Sequence, residues 1–262
     1  MRVLVTGAAR AIGAATVREL VARGHQVVAT AREPDLLAGL PAAQRLALDV
    51  TDDRSVRAAH VAAGEVDAVV NNAATTAHGP LEAVPPAALA AVLETNAVGP
   101  LRVLQPLLPA WRARGRGVIV NVSSVQGRVA TPLSGAYAAS KHALEALSET
   151  LHYELGHFGI RVVLVEPGFV APGMKVEATY PGPPVYEALQ AQWEGVDDVL
   201  AGPGGRPGPE TVATAVADAL EDPATPLRVE VGDDARSILA ARRQLDDVAF
   251  EAAMRQVLGI TW

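Results

Sequence analysis

Short apolar runs alternate with segments of helical spacing over the first 170 positions of the chain. Six runs that are rich in valine, isoleucine, leucine and alanine predict buried strands: RVLVTG, QVVATAR, RLALDV, VDAVVNNAA, GVIVNVSS and IRVVLVEPG. The segments between them have helical spacing, namely AIGAATVRELVARGH and the stretches 52–63, 86–113 and 137–157. Near-continuous apolar strands that alternate with helices predict an α/β fold, with a doubly wound parallel sheet covered by helices on both faces.

The pattern changes after Gly168. Residues 171–209 contain PGPP and GPGGRPGP, which are too rich in glycine and proline for long regular elements. In a compact domain such a stretch is typical of a functional lid or of a disordered segment. A helix is predicted at 210–220, followed by LRVEVG as a last strand and a helical tail from about residue 233. No linker separates two cores, so we predict a single domain over 1–262, with 171–209 as a variable lid segment inside it.

Composition narrows the class of protein. The 262 residues are half hydrophobic and carry a formal net charge of −7, with scattered positive charges, which argues against a nucleic-acid surface. The absence of cysteine excludes a disulfide framework and a thiolate nucleophile, and no histidine has the spacing of a metal site. The interrupted apolar runs predict no membrane span, and MRVLVTGAAR lacks the apolar core of a secretory signal. We therefore expect a cytoplasmic protein without nucleic-acid, membrane or metal partners.

The first strand meets the first helix at TGAARAIG, residues 6–13, which includes Gly7 and Gly13. Backbone N–H groups at such a turn, together with the positive end of the helix dipole, favour a pyrophosphate. A tight turn that binds nothing would have the same glycines. Position 11 is alanine, where a glycine usually lets the backbone approach the ligand.

The end of the second strand indicates which dinucleotide would bind. A carboxylate there would hydrogen-bond the 2′-hydroxyl of NAD, whereas an arginine suits the 2′-phosphate of NADP. The chain has Ala31 and then Arg32 at this point, and Arg10 lies inside the glycine turn. Either arginine alone would be an ordinary surface charge. Together they predict NADP (as NADPH) in preference to NAD.

The stretch SGAYAASKHA places Tyr137 and Lys141 four residues apart, which is one turn of a helix. A free tyrosine is too weak an acid for neutral pH, and a neighbouring ammonium favours the phenolate, so we expect the pKa of Tyr137 to fall. A carbonyl accepts hydride readily only when its oxygen is protonated or polarised. Ser124 is predicted to face Tyr137 in preference to Ser123, because of its spacing from Tyr137 and because adjacent strand residues point to opposite faces.

In this order, TGAARAIG, LDV, NNAA, Asn96, NVSS, YAASK and EPG resemble the short-chain dehydrogenase/reductase family, over residues 2 to about 170. The motifs EPGFV and the long lid are most similar to its hydroxysteroid-dehydrogenase-like and ketoreductase-like members. The resemblance implies a Rossmann-type sheet and a homodimer or homotetramer formed through two long helices. It implies catalytic roles for Ser124, Tyr137, Lys141 and Asn96, the asparagine holding a water that links the lysine to solvent.

The resemblance also implies contacts with the cofactor. Lys141 would anchor the nicotinamide ribose, and further contacts would come from Gly7, Arg10, Ile12, Gly13, Arg32, Asp49, Val50, Asn72, Ala73, Tyr137, Pro167, Gly168 and Val170. Asp49 is equally well explained as a helix cap, and Asn96 as a polar core residue that kinks its helix. Besides Ala11, the chain departs from the family at Ala74, where relatives carry glycine, and at 171–174, where a threonine is usual. These departures make a lower cofactor affinity plausible.

The leading hypothesis is therefore an NADPH-dependent enzyme that interconverts a ketone and a secondary alcohol, with an apolar ring ketone as the class of substrate. Two alternatives keep the fold: an NADP-binding regulatory or scaffold protein, and an epimerase or dehydratase that uses the cofactor transiently. The lid carries Met174, Tyr180, Tyr186 and Trp193, which could line an apolar pocket or could attach the lid to the body of the domain.

Overall fold

The structure is a computed structural model, and it describes residues 1–174, 176, 178–196, 199 and 205–262. Within these residues, seven parallel strands form one sheet of order β3-β2-β1-β4-β6-β7-β9. Two further strands, β5 and β8, pair in parallel as a separate small sheet. The strands are β1 (Arg2–Val5), β2 (Gln26–Ala31), β3 (Gln44–Ala47), β4 (Ala68–Asn71), β5 (Ala77–His78), β6 (Gly117–Val122), β7 (Ile160–Pro167), β8 (Ala178–Thr179) and β9 (Arg228–Val231).

Helices lie between most successive strands of the sheet and after its last strand. They are α1 (Ala11–Ala22), α2 (Asp53–Ala63), α3 (Pro86–Leu93), α4 (Gly99–Leu104), α5 (Leu108–Arg114), α6 (Gly135–Gly156), α7 (Glu187–Glu194), α8 (Pro209–Glu221), α9 (Asp233–Gln244) and α10 (Asp247–Leu258). Short 3₁₀ turns lie at Pro34–Leu37, Val125–Gly127 and Pro184–Tyr186, and a π-helical turn lies at Glu94–Val98. The seven predicted strands of the main sheet are confirmed, whereas the two-residue strands β5 and β8 are too short to leave a periodic signal, and the predicted helix over 86–113 and the lid differ from the prediction as described below.

Alternation along the strands divides the core into two layers. In β1, Val3 and Val5 pack in one layer with α1 and α8, whereas Leu4 packs in the other with α2, α4, α5 and α6. Both faces of the sheet are therefore covered, as predicted for a doubly wound fold. The strand order reverses between β1 and β4, and in such sheets ligands bind in the crevice outside the carboxyl ends of the strands at this point.

The stretch 86–113, expected as one long helix, is broken into three helices. The π-helical turn Glu94–Val98 joins α3 to α4, and Leu108–Arg114 forms α5 as a separate helix. By length and composition Pro86–Leu104 could cross a membrane, with a mean hydropathy of 1.3 and 39% of the window buried, contrary to our expectation that no run could. This is weak evidence for a span, because the core helix of a soluble protein meets the same criteria.

The lid segment, as far as it is described, contains short elements only: β8, the 3₁₀ turn Pro184–Tyr186 and α7. Strand β8 pairs with β5, so the lid is joined to the loop that follows β4. Helix α7 packs against the carboxyl end of the chain, where Leu189 shares an apolar cluster with Leu258 and Ile260. Residues 175, 177, 197, 198 and 200–204 of the predicted lid lie outside the described residues.

Candidate active site

The glycine turn, Thr6–Gly13, is built by very close approach of backbone segments. Gly7 has φ +63°, and a Cβ at this position would lie 2.7 Å from Cα of Ala73. The Thr6 hydroxyl accepts hydrogen bonds from the backbone N–H groups of Asn72 (3.0 Å) and Ala73 (3.1 Å). The Asn72 side-chain amide donates to the carbonyl oxygen of Gly7 at 3.0 Å. The structure therefore gives the side chain of Asn72 the role of supporting this turn.

Helix α1 begins at Ala11, whose φ of +41° is unusual for a residue with a side chain. Exposed Arg10 precedes it in extended conformation and makes no side-chain cap, and the fully described first turn contains no acidic residue. The first N–H groups of a helix have no partners inside the helix, and the dipole makes this end positive. The residues present therefore fit a pyrophosphate at this helix end, and Ala11 is accommodated by a left-handed backbone.

The two arginines predicted near the adenosine ribose lie at the carboxyl edge of neighbouring strands. Arg32 directly follows β2 and is exposed, as is Arg10 in the glycine turn. The N–H of Ala8 donates to the carbonyl of Thr30 at 2.9 Å, which ties the glycine turn to β2. The last residue of β2 is Ala31, so no carboxylate projects at this strand end.

The residues predicted to contact the adenine have partners within the protein. The Asp49 carboxylate accepts from the backbone N–H (2.9 Å) and the hydroxyl (2.7 Å) of Thr51. The cap of α2 is Asp52, not Asp49. Val50 is buried, and its carbonyl accepts a hydrogen bond from Arg102 at 2.7 Å. The turn after β3 is thus ordered by its own side chains.

Ser124 lies close enough to Tyr137 to lower the pKa of the phenol. Ser124 follows β6 and caps the turn Val125–Gly127 by accepting from the N–H of Gln126 at 3.1 Å. Burial raises the pKa of Tyr137 to about 12, and Ser124 opposes this rise only in part. The expectation of a lowered Tyr137 pKa is therefore not met in this structure, because burial raises this pKa by more than Ser124 lowers it.

Lys141 lies one helical turn after Tyr137 and is buried, with a relative exposure of 3%. Its Nζ donates to the carbonyl oxygen of Val122 at 2.7 Å and lies 5.6 Å from the centroid of the Tyr137 ring. Burial lowers the pKa of Lys141 to about 8, and the negative charge of Glu145 counteracts part of that fall. The structure thus brings Ser124, Tyr137 and Lys141 together at the carboxyl end of β6.

Asn96 occupies the π-helical turn and is buried. Its Oδ1 accepts from the N–H of Thr75 at 2.8 Å, and its Nδ2 donates to the carbonyl of Thr75 (2.8 Å) and to the hydroxyl of Ser140 (2.9 Å). Ser140 in turn donates to the carbonyl of Tyr137 at 2.7 Å. Asn96 therefore connects the loop after β4 to the helix that carries Tyr137, and it does interrupt its own helix. Single π turns are frequent at functional sites.

The turn Pro167–Val170 is held by a residue that our reading of the sequence missed. The carboxylate of Asp234, in the first turn of α9, accepts from the N–H of Phe169 at 2.7 Å, and a Cβ on Gly168 would collide with this carboxylate. Gly168 also donates its N–H to Val231 at 3.0 Å. The signal was the GDDA sequence after LRVEV, where an acidic helix start follows the last strand.

The lid aromatics attach the lid to the body of the domain. Tyr186 stacks on Trp262 and donates its hydroxyl hydrogen to Glu82 at 2.8 Å. Trp193 packs with the cluster that contains Leu189, and Tyr180 packs with another that contains Ala136, while Met174 is 42% exposed. The two predicted roles were lining an apolar pocket and attaching the lid to the body of the domain. The structure supports attachment for Tyr180, Tyr186 and Trp193.

Comparison with known proteins agrees with this arrangement. Residues 1–180 match the family model described as short chain dehydrogenase. An uncharacterized oxidoreductase of Schizosaccharomyces pombe is 31% identical over 197 residues, which cover 75% of this chain and 83% of that protein. Human 17-beta-hydroxysteroid dehydrogenase type 1 is 44% identical over 127 residues, 48% of this chain and 39% of that enzyme.

Two solved structures are similar over nearly the whole chain. A short-chain dehydrogenase from Streptomyces avermitilis has 33% identity and a TM-score of 0.82, with 99% of this chain and 97% of that chain covered. A short chain dehydrogenase from Burkholderia cenocepacia, solved in complex with NADP, has 27% identity and a TM-score of 0.76, with 98% and 96% covered.

Proposed function

The chain belongs to the short-chain dehydrogenase/reductase family, and from this premise we propose that it is an NADPH-dependent oxidoreductase that interconverts a ketone and a secondary alcohol. The observation that carries the proposal is the grouping of three side chains: Lys141 lies one helical turn after Tyr137, with its Nζ 5.6 Å from the centroid of the Tyr137 ring, and Ser124 acts on the same phenol. These three side chains follow the carboxyl end of β6, at the sheet edge where the glycine turn follows β1.

Each side chain has a defined task in this proposal. The bound nicotinamide cofactor supplies the hydride in reduction and accepts it in oxidation. During reduction, the Tyr137 hydroxyl donates its proton to the carbonyl oxygen of the substrate, while the Ser124 hydroxyl hydrogen-bonds the same oxygen. The Lys141 ammonium stabilises the negative charge that the phenol acquires. A Tyr137 pKa of about 12 keeps the phenol protonated at neutral pH, which is the form that reduction needs.

The preference for NADPH rests on the adenosine end. Arg10 in the glycine turn and Arg32 directly after β2 are both exposed. Strand β2 ends in an alanine instead of a carboxylate. The 2′-phosphate of NADPH carries negative charge, and an arginine recognises it by paired N–H donors. The similarity to an NADP-bound structure from Burkholderia cenocepacia supports the same choice.

We propose an apolar ring ketone as the substrate, in line with the similarity of 48% of this chain to human 17-beta-hydroxysteroid dehydrogenase type 1. The proposal also includes a homodimer or homotetramer and a cytoplasmic location, as the family resemblance implies.

A substrate panel tests the proposed function. The purified chain would be mixed with NADPH or NADH and a series of ring and open-chain ketones, and with NADP or NAD and the matching alcohols, while the nicotinamide absorbance is followed. We expect steady net turnover with NADPH and at least one apolar ketone. Tight NADP binding without turnover on any pair would support the regulatory alternative, and substrate conversion without net change in the cofactor would support an epimerase or dehydratase.

A further inference from the structure

Two buried carboxylates lie beneath the serine turn, Ser123–Gly127. Glu145 on α6 and Glu166 on β7 have relative exposures of 5% and 1%. A Cβ placed on Gly127 would lie 2.9 Å from Cγ of Glu145 and 2.7 Å from the Ser123 hydroxyl, so Glu145 packs directly under this turn. Oε1 of Glu145, Oε1 of Glu166 and the Ser123 hydroxyl have no hydrogen-bond partner among the described residues. The proposed function assigns no task to this carboxylate pair.

The two carboxylates are paired unequally. Oε2 of Glu145 accepts a hydrogen bond from Nε of Arg228 at 3.0 Å. Within the described part of the chain, Oε1 of Glu166 makes long contacts with guanidinium groups, 3.7 Å to Arg228 and 3.6 Å to Arg128. Burial and the negative charge of Glu145 raise the pKa of Glu166 to about 7. Burial and the nearby charge of Glu145 therefore favour the protonated form of Glu166.

The other charges near the two carboxylates come from α6, β9, α9 and the segment after the serine turn. Arg228 also binds Glu149, one turn further along α6, at 2.9 Å, and Glu230 on the same strand pairs with Arg243 of α9. The charged and titratable groups that face the pair are thus Lys141 and Glu149 on α6, Arg228 and Glu230 on β9, Arg243 on α9, and Arg128 after the serine turn.

Lys141 and Glu145 are four residues apart on α6, so they are neighbours on one helix face. Nζ of Lys141 donates to a neutral carbonyl, that of Val122, so this contact supplies no opposite charge. A buried ammonium is unstable relative to the neutral amine unless a nearby negative charge compensates. Glu145 is the negative group that acts on Lys141 in this structure.

We propose that Glu145 is a positioning residue for the reaction: its buried carboxylate, one helical turn from buried Lys141 on the same face of α6, stabilises the ammonium form of that lysine. This inference depends on the proposed function, because Glu145 affects catalysis only if Lys141 takes part in the proposed reaction. Glu145 would act on the reaction through Lys141, which lies one helical turn before it on α6.

The composition of the chain makes a direct measurement possible. Lys141 and Lys175 are the two lysines among the 22 basic residues. Protein labelled with ¹³C in lysine therefore gives two side-chain signals, and Lys175→Arg identifies the signal of Lys141. The pH titration of its Cε shift then reports the ionisation of Lys141 without cofactor or substrate.

Three variants separate charge from shape. Glu145→Gln removes the charge and keeps an acceptor for Arg228, and we expect the Lys141 titration midpoint to fall by about one pH unit. Glu145→Met, a second neutral variant for the case that the first does not fold, should show the same fall. Glu145→Asp keeps the negative charge on a shorter side chain, and its Lys141 titration midpoint should stay close to that of the wild type. The matched control is Glu149→Gln, which removes a partner of the same Arg228 but should leave the midpoint unchanged.

Enzyme kinetics supply the second readout. With NADPH and a ketone that the wild type reduces, the alkaline limb of kcat/KM for Glu145→Gln should move to lower pH by the same amount as the titration midpoint, and Glu149→Gln should not move it. Folded neutral variants with an unchanged Lys141 midpoint would overturn the proposal. Absence of turnover by the wild type would instead contradict the proposed function, while the titration would still decide the role of Glu145.

Discussion

The glycine turn and the serine turn lie at the same edge of one sheet, but they are stabilised by different forces. The glycine turn is held by backbone contacts and neutral hydrogen bonds from Thr6 and Asn72. The serine turn lies above buried ionisable groups, among them Lys141, Glu145 and Glu166. Added volume should therefore disrupt the first turn, whereas a changed charge or pH should disrupt the second.

The largest effect should come from removing one hydroxyl at the serine turn. Tyr137→Phe keeps the ring but loses the proton donor, so we expect kcat to fall by about 10²- to 10⁴-fold with little change in NADPH affinity. Tyr153→Phe, an exposed position on the same helix, is the control and should keep wild-type kinetics. Turnover by Tyr137→Phe at the wild-type rate would contradict the assigned chemistry.

A methyl group should break the glycine turn. Gly7→Ala places a side chain at φ +63° and against the backbone of Ala73, so we expect NADPH binding to weaken by tenfold or more and stability to fall by about 2–3 kcal/mol. Calorimetric titration and urea unfolding measure the two effects. Gly24→Ala is the matched control, because Gly24 has φ +83° with open space around it. Equal losses in both variants would mean that close backbone contact at Gly7 is unimportant.

Burial of the Glu166 carboxylate beneath the serine turn should lower the stability of the folded chain in a pH-dependent way. The folded pKa of Glu166, about 7, is higher than its ordinary value of 4.5, so the folded chain binds this proton more tightly than the unfolded chain. The free energy of unfolding therefore falls as the pH rises from about 4.5 through 7. Glu166→Gln should be more stable than wild type by roughly 2 kcal/mol at pH 8, with the gain vanishing at pH 4.5.

Urea unfolding of both proteins at pH 4.5, 6 and 8 checks this prediction. Glu149→Gln, at a more exposed carboxylate that binds the same Arg228, should not reproduce the gain. A stability difference between Glu166→Gln and wild type that is constant over this range would mean that the pKa of Glu166 is the same in the folded and unfolded chains. The contrast between the two turns would then lose its electrostatic basis.

The smallest expected effect concerns one charged residue near the glycine turn, Arg32. Arg32→Asp should lower the ratio of NADPH to NADH efficiency by about tenfold or more, because a carboxylate repels the 2′-phosphate and accepts from a ribose hydroxyl. Arg18→Asp makes the same charge change at an exposed position of α1 and should leave the ratio nearly constant. An unaltered ratio in Arg32→Asp would remove the assignment of this residue.

The fold was predictable because its signals are local. Each buried strand is a run of β-branched and aliphatic residues followed by a turn, and each motif at TGAARAIG, NNAA, NVSS and EPG follows such a run. The carboxyl ends of parallel strands meet at one edge of a sheet, so these motifs had to come together. The π-helical turn at Asn96 was harder to predict, because the amide is held by Thr75 and Ser140, which are distant in sequence.

The order of residues by itself determined the α/β fold, the family, and the one-turn spacing of Tyr137 and Lys141. Only the tertiary structure decided the ionisation of those groups. The pKa of a phenol or an ammonium depends on its burial and on the charges around it, here those of Glu145, Glu166 and Arg228. Burial raised the pKa of Tyr137, although the neighbouring lysine alone predicted a fall. Spacing along a chain specifies which groups can meet, but the free energy of a charge depends on everything packed around it.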